Sequence, residues 1–185
     1  MNMDREQAKR LLDEFVTSDW LKKHSLATAE VMAGLAGRLG QDPEAWWVAG
    51  LLHDLDFDLT QDPAVHGRRA AEILRERGAG EELVAAVMAH NAEGLGVERR
   101  TPLDFALTAG ESITGLIVAT ALVMPDKKLA SVSGDSVVKR MKKKDFARKV
   151  SRERVLLCER VGLSIEEFAS LAVAAMQRVA PELDL

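Results

Sequence analysis

Paired start signals for helices recur along this chain. A capping residue is followed by proline at Asp42-Pro43, Asp62-Pro63 and Thr101-Pro102. Aspartate and threonine accept hydrogen bonds from the free amides of a helix start, and proline is favoured at the first helical position. After these starts, apolar residues recur at helical spacing, without a convincing strand pattern or internal repeat. The chain is therefore predicted to fold as an all-α protein.

The start and stop signals divide the chain into successive helical segments. Those before Pro125 are longer, and those after it are shorter and more polar. A capping box formed by Ser164 and Glu167 marks the start of the last one. At 185 residues, a single domain is expected. The predicted helices cover residues 4–16, 19–39, 43–54, 63–78, 81–91, 102–123, 135–143, 152–160 and 165–179.

The composition indicates helix packing in a reducing compartment. Tyrosine is absent and aromatic residues make up 4% of the chain, which favours helices over a sheet. The single cysteine, Cys158, excludes a disulfide within the chain and is expected to be a buried, inert thiol. Residues 1–10 are too polar for a signal peptide, and the most apolar run, residues 116–124, is too short for a membrane span. These features predict a cytoplasmic protein with no membrane contact.

The charge is unevenly distributed. The net charge is −4, yet residues 127–154 hold eleven basic and three acidic residues, so the rest of the chain carries −12. An acidic body with one basic segment indicates local binding of an anion, and nucleic-acid binding is not expected. The basic run at residues 139–149 has three readings: a solvated face, a lid over a substrate phosphate, or a contact with nucleic acid.

All four histidines of the chain fall on predicted helices, each on or beside the apolar stripe of its helix. His24 shares a face with Val31 and Leu35, for example, and His90 shares one with Val87. Two carboxylates occupy similar apolar faces. The complete set of candidate metal ligands is His24, His53, Asp54, His66, His90 and Glu111.

Burial of these groups needs a compensating partner, because an unpaired buried polar group costs roughly 2–7 kcal/mol and a charge costs more. One inward histidine is commonly explained by a hydrogen bond to a backbone carbonyl. Five helices that each carry an inward imidazole or carboxylate are better explained by a shared metal.

The ordered set resembles the HD superfamily of metal-dependent phosphohydrolases. The resemblance is carried by His24, by Gly50-Leu51-Leu52-His53-Asp54, and by Glu111 within the segment 109–116. The pairs His66-Gly67 and His90-Asn91 resemble the subset of HD proteins with additional histidines. Residues 125–129, 136–140 and 144–147 resemble uncharacterised bacterial HD hydrolases of about this length.

The resemblance implies an HD-type metal-binding helical core over residues 1–125 and a basic, helical C-terminal extension over residues 126–185 that packs on it as one domain. It also implies one or two divalent transition metal ions, with Fe, Mn, Co and Zn favoured over Mg by the histidine-rich set. Asp54 would be the central catalytic residue that bridges two metals. The first site would take His24, His53, Asp54 and Glu111, and the second would take His66, His90 and Asp54.

The chain departs from the family pattern at two points. The last ligand is normally Asp, whereas the alignment places Glu111 there, and Asp104 on the same helix is a second candidate. Leu55-Asp56 follows His53-Asp54, where many members have Ile-Gly. These departures concern the occupancy of one metal position more than the fold.

Three further residues are predicted to act on the substrate. Arg68 and Arg69 follow His66 and are candidates to bind a substrate phosphate, although ordinary solvated side chains are the alternative. Asp58 is a candidate acid–base residue, and a loop or capping role is the alternative.

The resemblance implies hydrolysis of a small phosphate ester, such as a nucleotide or a similar monoester or diester, by metal-activated water. Two other functions stay open. Some HD relatives use a di-iron site to activate oxygen, and the additional histidines permit this. A protein with a decayed site would instead bind a nucleotide or a partner without catalysis. The sequence does not determine the oligomeric state.

Overall fold

The computed structural model describes residues 3–185, and every regular element within that range is helical. The predicted all-α class is therefore confirmed. The α-helices are α1 (Arg5–Phe15), α2 (Asp19–Leu39), α3 (Pro43–Leu52), α4 (Arg68–Glu76), α5 (Glu81–His90), α6 (Ala92–Leu95), α7 (Pro102–Leu122), α8 (Gly134–Met141), α9 (Arg152–Val155) and α10 (Ile165–Gln177). Two 3-10 helices cover Leu129–Ser131 and Leu156–Val161.

The predicted caps define the main helices. Asp42 accepts a hydrogen bond from the Glu44 amide at the start of α3, with Pro43 in the first turn. Thr101 and Asp104 form a capping box at the start of α7. Gly40 ends α2 in the left-handed conformation, with φ at 66°. Local sequence signals therefore set the ends of α2, α3 and α7.

The prediction of a helix opening at Asp62-Pro63 is wrong. Residues 63–67 form turns, and α4 begins only at Arg68. Asp62 does accept a hydrogen bond from the Ala64 amide at 2.9 Å, but it caps a turn instead of a helix. Gly67, with φ at +85°, redirects the chain before α4 starts. His66 consequently lies in a turn and not on a helix.

The C-terminal segments are shorter than predicted. The expected helix over 152–160 splits into α9 and the 3-10 helix Leu156–Val161. Ser164 caps α10 through the Glu167 amide, but the Glu167 carboxylate pairs with Arg38 at 2.7 Å. Only half of the predicted capping box forms. Cys158 is buried as predicted, and burial raises the pKa of its thiol to about 11.

Helix α2 is central to the packing, where it contacts α3, α7 and α10. Its closest neighbour is α3, and Gly50 permits their approach. A Cβ atom at Gly50 would lie 2.7 Å from the Cα of Ala29, which no side chain tolerates. The helix α10 also packs on α8 and α7, so residues after 126 cover the helices of the predicted core. The contact between α2 and α3 brings the C-terminal end of α3 to the middle of α2.

The sequence predicted that no apolar run is long enough for a membrane span, but helix α7 is long enough. By length and composition alone it qualifies, with a mean hydropathy of 1.5 over its most apolar window. That window is 61% buried inside the protein, which is the behaviour of a core helix. Its apolar surface therefore packs in the protein interior against α5, α2 and the C-terminal helices.

Candidate metal centre

The six predicted ligands converge in the structure. His24 lies within α2, His53 and Asp54 follow α3, and Glu111 lies within α7. Within each of two groups, one ligand atom per residue lies within 4.8 Å of the others. The groups are His24, His53 and Glu111, and Asp54, His66 and His90. Metal binding by these residues stays a prediction, and their placement supports it.

Hydrogen bonds at Nδ1 orient the first two imidazoles. The Thr114 hydroxyl donates to the Glu111 carbonyl at 2.7 Å, so at 3.2 Å it accepts from Nδ1 of His24. Nδ1 of His53 donates to the Gly50 carbonyl at 2.8 Å. Each ring therefore carries a proton on Nδ1 and turns its Nε2 toward the other ring. The two Nε2 atoms are 3.2 Å apart.

The other two imidazoles are arranged in the same way. Nδ1 of His66 donates to Oδ1 of Asp56 at 2.8 Å, and Nδ1 of His90 donates to the Val87 carbonyl. Their Nε2 atoms face each other at 2.9 Å. All four histidines thus present Nε2, the atom left free by a bonded Nδ1, as metal-binding histidines do.

Asp54 lies between the two histidine pairs. Its Oδ1 is 3.3 Å from Nε2 of His66 and 3.3 Å from Nε2 of His90. Its Oδ2 is 3.4 Å from Nε2 of His53 and 3.7 Å from Nε2 of His24. One carboxylate oxygen is therefore available to each pair, which is the arrangement needed to bridge two cations.

This donor set fits a divalent cation. Facing Nε2 lone pairs repel each other unless a proton or a cation lies between them. Burial lowers the pKa of His24 and His90, which keeps both neutral. Burial also opposes ionisation of Asp54, but interactions with His53, His66 and His90 outweigh it and hold its pKa well below the usual value. The Asp54 carboxylate and the Nε2 atoms around it together offer a divalent cation a buried set of oxygen and nitrogen ligands.

Glu111 has a second partner that the sequence did not indicate. Its Oε1 lies 3.0 Å from Nη2 of Arg154 and accepts a hydrogen bond from Ser112 at 2.9 Å. Arg154 also donates to the His90 carbonyl, as does Arg99 at 3.2 Å. The guanidinium groups of Arg154 and Arg99 therefore stabilise the C-terminal end of α5, where the helix dipole is negative. Among the described residues, Oε2 of Glu111 accepts no hydrogen bond, so it is available for a ligand.

Comparison with known proteins identifies the family. A family model described as the HD domain matches residues 21–120, more than half of the chain. The chain belongs to the HD family. All six candidate ligands lie within the matched range, and HD domains bind divalent metals, so the cluster occupies the part of the fold where a metal is expected.

Two curated relatives are similar to about half of this HD chain. Ribonuclease Y of Cutibacterium acnes is 32% identical over 93 residues, which cover 49% of this chain and 17% of the relative. Ribonuclease Y 2 of Levilactobacillus brevis is 29% identical over 93 residues, covering 50% of this chain and 17% of the relative. The chain thus spans only a small part of these relatives' length. No solved structure matches it significantly.

Asp56 is the main site residue that sequence reasoning missed. It follows the His-Asp pair and is fully buried. Its Oδ1 accepts the hydrogen bond from His66. Its Oδ2 accepts hydrogen bonds from the amides of Gly67 at 2.8 Å and Ala70 at 3.0 Å. Burial alone would lower the pKa of His66, but its hydrogen bonds to Asp54 and Asp56 raise that pKa to about 9. Asp56 therefore fixes both the ring of His66 and the start of α4.

Replacement of Asp56 should weaken the second histidine pair. Asp56→Asn keeps the size but loses the charge that orients His66, so metal affinity at that pair should fall roughly 10–100-fold. Metal content after gel filtration, measured by elemental analysis, checks this. The matched control is Asp58→Asn in the same loop, which should leave metal content unchanged. Equal metal loss in both variants would contradict the positioning role.

Asp58 does not join the cluster. Its carboxylate accepts hydrogen bonds from the amides of Thr17 and Ser18 at 2.7 and 2.8 Å and from both hydroxyls. The hydrogen bonds from Ser18 and Thr17 lower the pKa of Asp58 to about 2. A carboxyl with that pKa is a poor proton donor or acceptor near neutral pH. These contacts favour a structural role at the start of α2 over the predicted acid–base role.

The structure likewise gives no support to the predicted phosphate contacts of Arg68 and Arg69. Both side chains are exposed at the start of α4. Arg69 pairs with Glu72 at 2.8 Å, one turn along the helix. Neither contacts a candidate ligand, which corresponds to the solvated alternative, while Arg154 does pair with one.

The structure distinguishes the two candidates for the last ligand, Asp104 and Glu111. Oδ2 of Asp104 accepts from the amides of Arg100 and Thr101 at 2.8 and 2.9 Å, which is a capping role. Asp104→Asn should therefore cost about 1 kcal/mol of stability and retain the metal. Glu111→Gln should lower metal affinity roughly a hundredfold because the charge is lost. Glu111→Asp should retain much of it.

A metal assay on these three variants decides between the assignments. If Asp104→Asn removes the metal and Glu111→Gln keeps it, Glu111 is only a structural partner of Arg154. Melting temperatures measured in parallel separate loss of the cap from loss of a ligand, since the cap affects stability with or without metal.

Proposed function

We propose that this HD chain hydrolyses a small phosphate ester, with one or two divalent transition metal ions bound at the cluster. The observation that carries the proposal is the position of Asp54, with one oxygen facing the Nε2 atoms of each histidine pair. Four imidazoles and two carboxylates favour Fe, Mn, Co or Zn over Mg or Ca, which prefer oxygen ligands and water.

When bound, such ions supply a nucleophile by lowering the pKa of water from 15.7 toward ~7, and they neutralise charge on the phosphoryl group. The protein's residues provide orientation. The Nδ1 acceptors of the four histidines hold the rings in one tautomer, and Asp54 holds the two pairs at a fixed separation. Burial excludes bulk water, which strengthens the electrostatic interactions around the reacting phosphate.

Arg154 is our proposed phosphate contact. Of the described Arg and Lys side chains, it is the one that pairs with a candidate ligand, Glu111. Its side chain is 30% exposed, so part of it is accessible to a substrate beside the cluster. A guanidinium in that position is suited to a phosphoryl oxygen, which accepts charge-assisted hydrogen bonds.

The test begins with metal analysis of protein purified without added metal. Phosphate release is then measured with each of the four metals on a panel of phosphomonoesters and diesters, with a chelator-treated sample as the control. Metal-dependent release supports the proposal. Oxygen-dependent turnover with iron and no phosphate release would indicate an oxidative enzyme. Bound metal with no turnover of either kind would indicate a binding module.

A second candidate is cleavage of an RNA phosphodiester. It is favoured by the names of the two relatives and by the exposed basic side chains of residues 139–149. The 93-residue matches cover only 17% of each relative, so their activity is a hypothesis for this chain. A labelled RNA oligonucleotide separates the candidates: cleavage that falls steeply with salt would support RNA, because phosphate contacts are salt-sensitive.

A further inference from the structure

A mostly apolar cavity of about 400 Å³ opens beside the metal centre. It lies between α2, α7 and the C-terminal residues, and its lining includes Trp20, His24, Val118 and Leu183. His24 is shared by the cavity and by the candidate ligand set. A molecule in the cavity would therefore be in contact with the cluster, and the volume is in the range of small-molecule sites.

The polar groups of this cavity are already paired. Nζ of Lys23 contacts carboxylate oxygens of Asp19 and Asp184, both at 2.5 Å. The Thr114 hydroxyl is used by His24 and by the Glu111 carbonyl. The cavity therefore presents mainly apolar surface and few polar groups that are free to bind a hydroxyl-rich ligand.

Trp20 contributes an exposed indole to the lining of the cavity. Its side chain is 57% exposed, an unusual state for an indole. The ring of Phe57 meets it edge-on, with centroids 5.9 Å apart and an interplanar angle of 86°. Phe57 meets the ring of His66 in the same way, at 5.2 Å. The indole is therefore held by an edge contact, linked through Phe57 to the metal centre, while much of its surface stays accessible.

We infer that this cavity holds the organic group of the phosphate ester, and that this group is a planar aromatic ring that stacks on Trp20. The inference rests on the proposed function, since it places the phosphate of the same molecule at the cluster. Aryl esters and nucleotides share this ring chemistry. Because the lining has few free polar groups, the site should accept different rings and disfavour polyols of similar size.

The first test compares kcat/KM for benzyl phosphate and glycerol 3-phosphate, which carry similar charge and have alkoxide leaving groups of similar basicity but differ in the organic group. The protein should favour benzyl phosphate by roughly tenfold or more, the contribution of one stacked ring. Trp20→Ala, at an exposed position, should remove most of this preference. Val118→Trp, which fills the cavity, should lower turnover of benzyl phosphate more than that of glycerol 3-phosphate.

The matched control is Leu122→Trp, one turn further along α7 at a side chain that is 52% exposed. It introduces the same residue outside the cavity lining and should leave both substrates unaffected. Equal rates for both substrates, or an unchanged preference in Trp20→Ala and Val118→Trp, would overturn the inference.

A binding test keeps this inference separate from the proposed function. Saturation-transfer NMR on the metal-loaded protein would use adenosine and ribose, which carry no phosphate to hydrolyse. Transfer to the ring protons of adenosine is expected with wild type and Leu122→Trp, but not with Val118→Trp, and ribose should show none. If no ester is hydrolysed but this pattern holds, the proposed function fails and the aromatic site stands. Equal transfer to adenosine in Val118→Trp and wild type would overturn the site itself.

Discussion

Asp54→Ala should remove all bound metal and lower turnover by roughly 10³-fold or more, because the metal contributes several kcal/mol of transition-state stabilisation. The side chain presents Oδ1 to His66 and His90 and Oδ2 to His24 and His53. Its loss therefore affects both groups at once. His90→Ala removes a ligand from one group only, so it should lose about half of the metal and retain partial activity. Elemental analysis after gel filtration gives the stoichiometry.

A variant of the other histidine pair, His24→Ala, completes this comparison. His24→Ala should lose the metal held by its own pair and keep the one between His66 and His90. Far-UV circular dichroism establishes that each variant is folded, which excludes metal loss through unfolding. If His90→Ala loses as much metal as Asp54→Ala, the centre is a single interdependent unit and the division into two groups is wrong.

Much of the helical framework follows from local sequence signals. Asp42 and Thr101 cap helices where predicted, and Gly40 ends α2, because capping depends on a few neighbouring residues. The same local rule failed at Asp62-Pro63. There the aspartate caps a turn, and the left-handed backbone of Gly67 delays the helix until Arg68. A local cap is compatible with both outcomes, and only the packing of the following segment decides between them.

The placement of the candidate ligands followed from a different argument. Imidazoles and carboxylates on apolar helix faces need a common partner, and the structure brings them together. Gly50 carried a usable signal, because a glycine inside an apolar helix often marks close approach of another backbone. In the structure it permits the contact of α3 with α2 that brings His53 to His24.

The contacts that Asp56 and Arg154 make with candidate ligands could not be predicted from the sequence. In the sequence, Asp56 is one of several acidic residues that follow His53-Asp54, and only the turn before α4 brings it to His66. Arg154 is far from Glu111 in the chain, and no periodicity links them. Arg68 and Arg69 were selected because they follow His66 in sequence, yet the turn at Gly67 leaves both exposed. Contacts between distant segments depend on tertiary packing, for which a single sequence has no local marker.

Chelation should lower the melting temperature of this protein by about 8–16 °C. A ligand that binds only the folded state at 1,000 times its dissociation constant stabilises it by about 4 kcal/mol. For a domain of 150–250 residues, each kcal/mol shifts the midpoint by about 2–4 °C. The candidate ligands are contributed by α2, α5, α7 and the turns after α3 and before α4, so bound metal would link most of the core. Differential scanning calorimetry with and without chelator measures the shift.

Asp54→Ala is the control for this experiment, because a variant without metal should not respond to chelator. If both proteins shift equally, the chelator acts elsewhere and the result carries no information about the cluster. Elemental analysis should find metal in wild type before chelator treatment and none after it. If the melting temperature of neither protein then changes, the metal does not stabilise the fold and the cluster does not link the helices of the core.

The chelator effect should also grow with pH. In the chelated protein, His66 has its pKa raised from 6.5 to about 9 by hydrogen bonds to Asp54 and Asp56 that outweigh burial. The folded state then binds this proton more tightly than the unfolded state, so the stabilisation is complete below pH 6.5 and is lost as the pH rises through 9. Metal-loaded protein holds no proton on that Nε2, and its metal affinity increases with pH. The difference in melting temperature between loaded and chelated samples should therefore widen from pH 6.5 to pH 9. A constant or narrowing difference would mean that His66 is not a ligand.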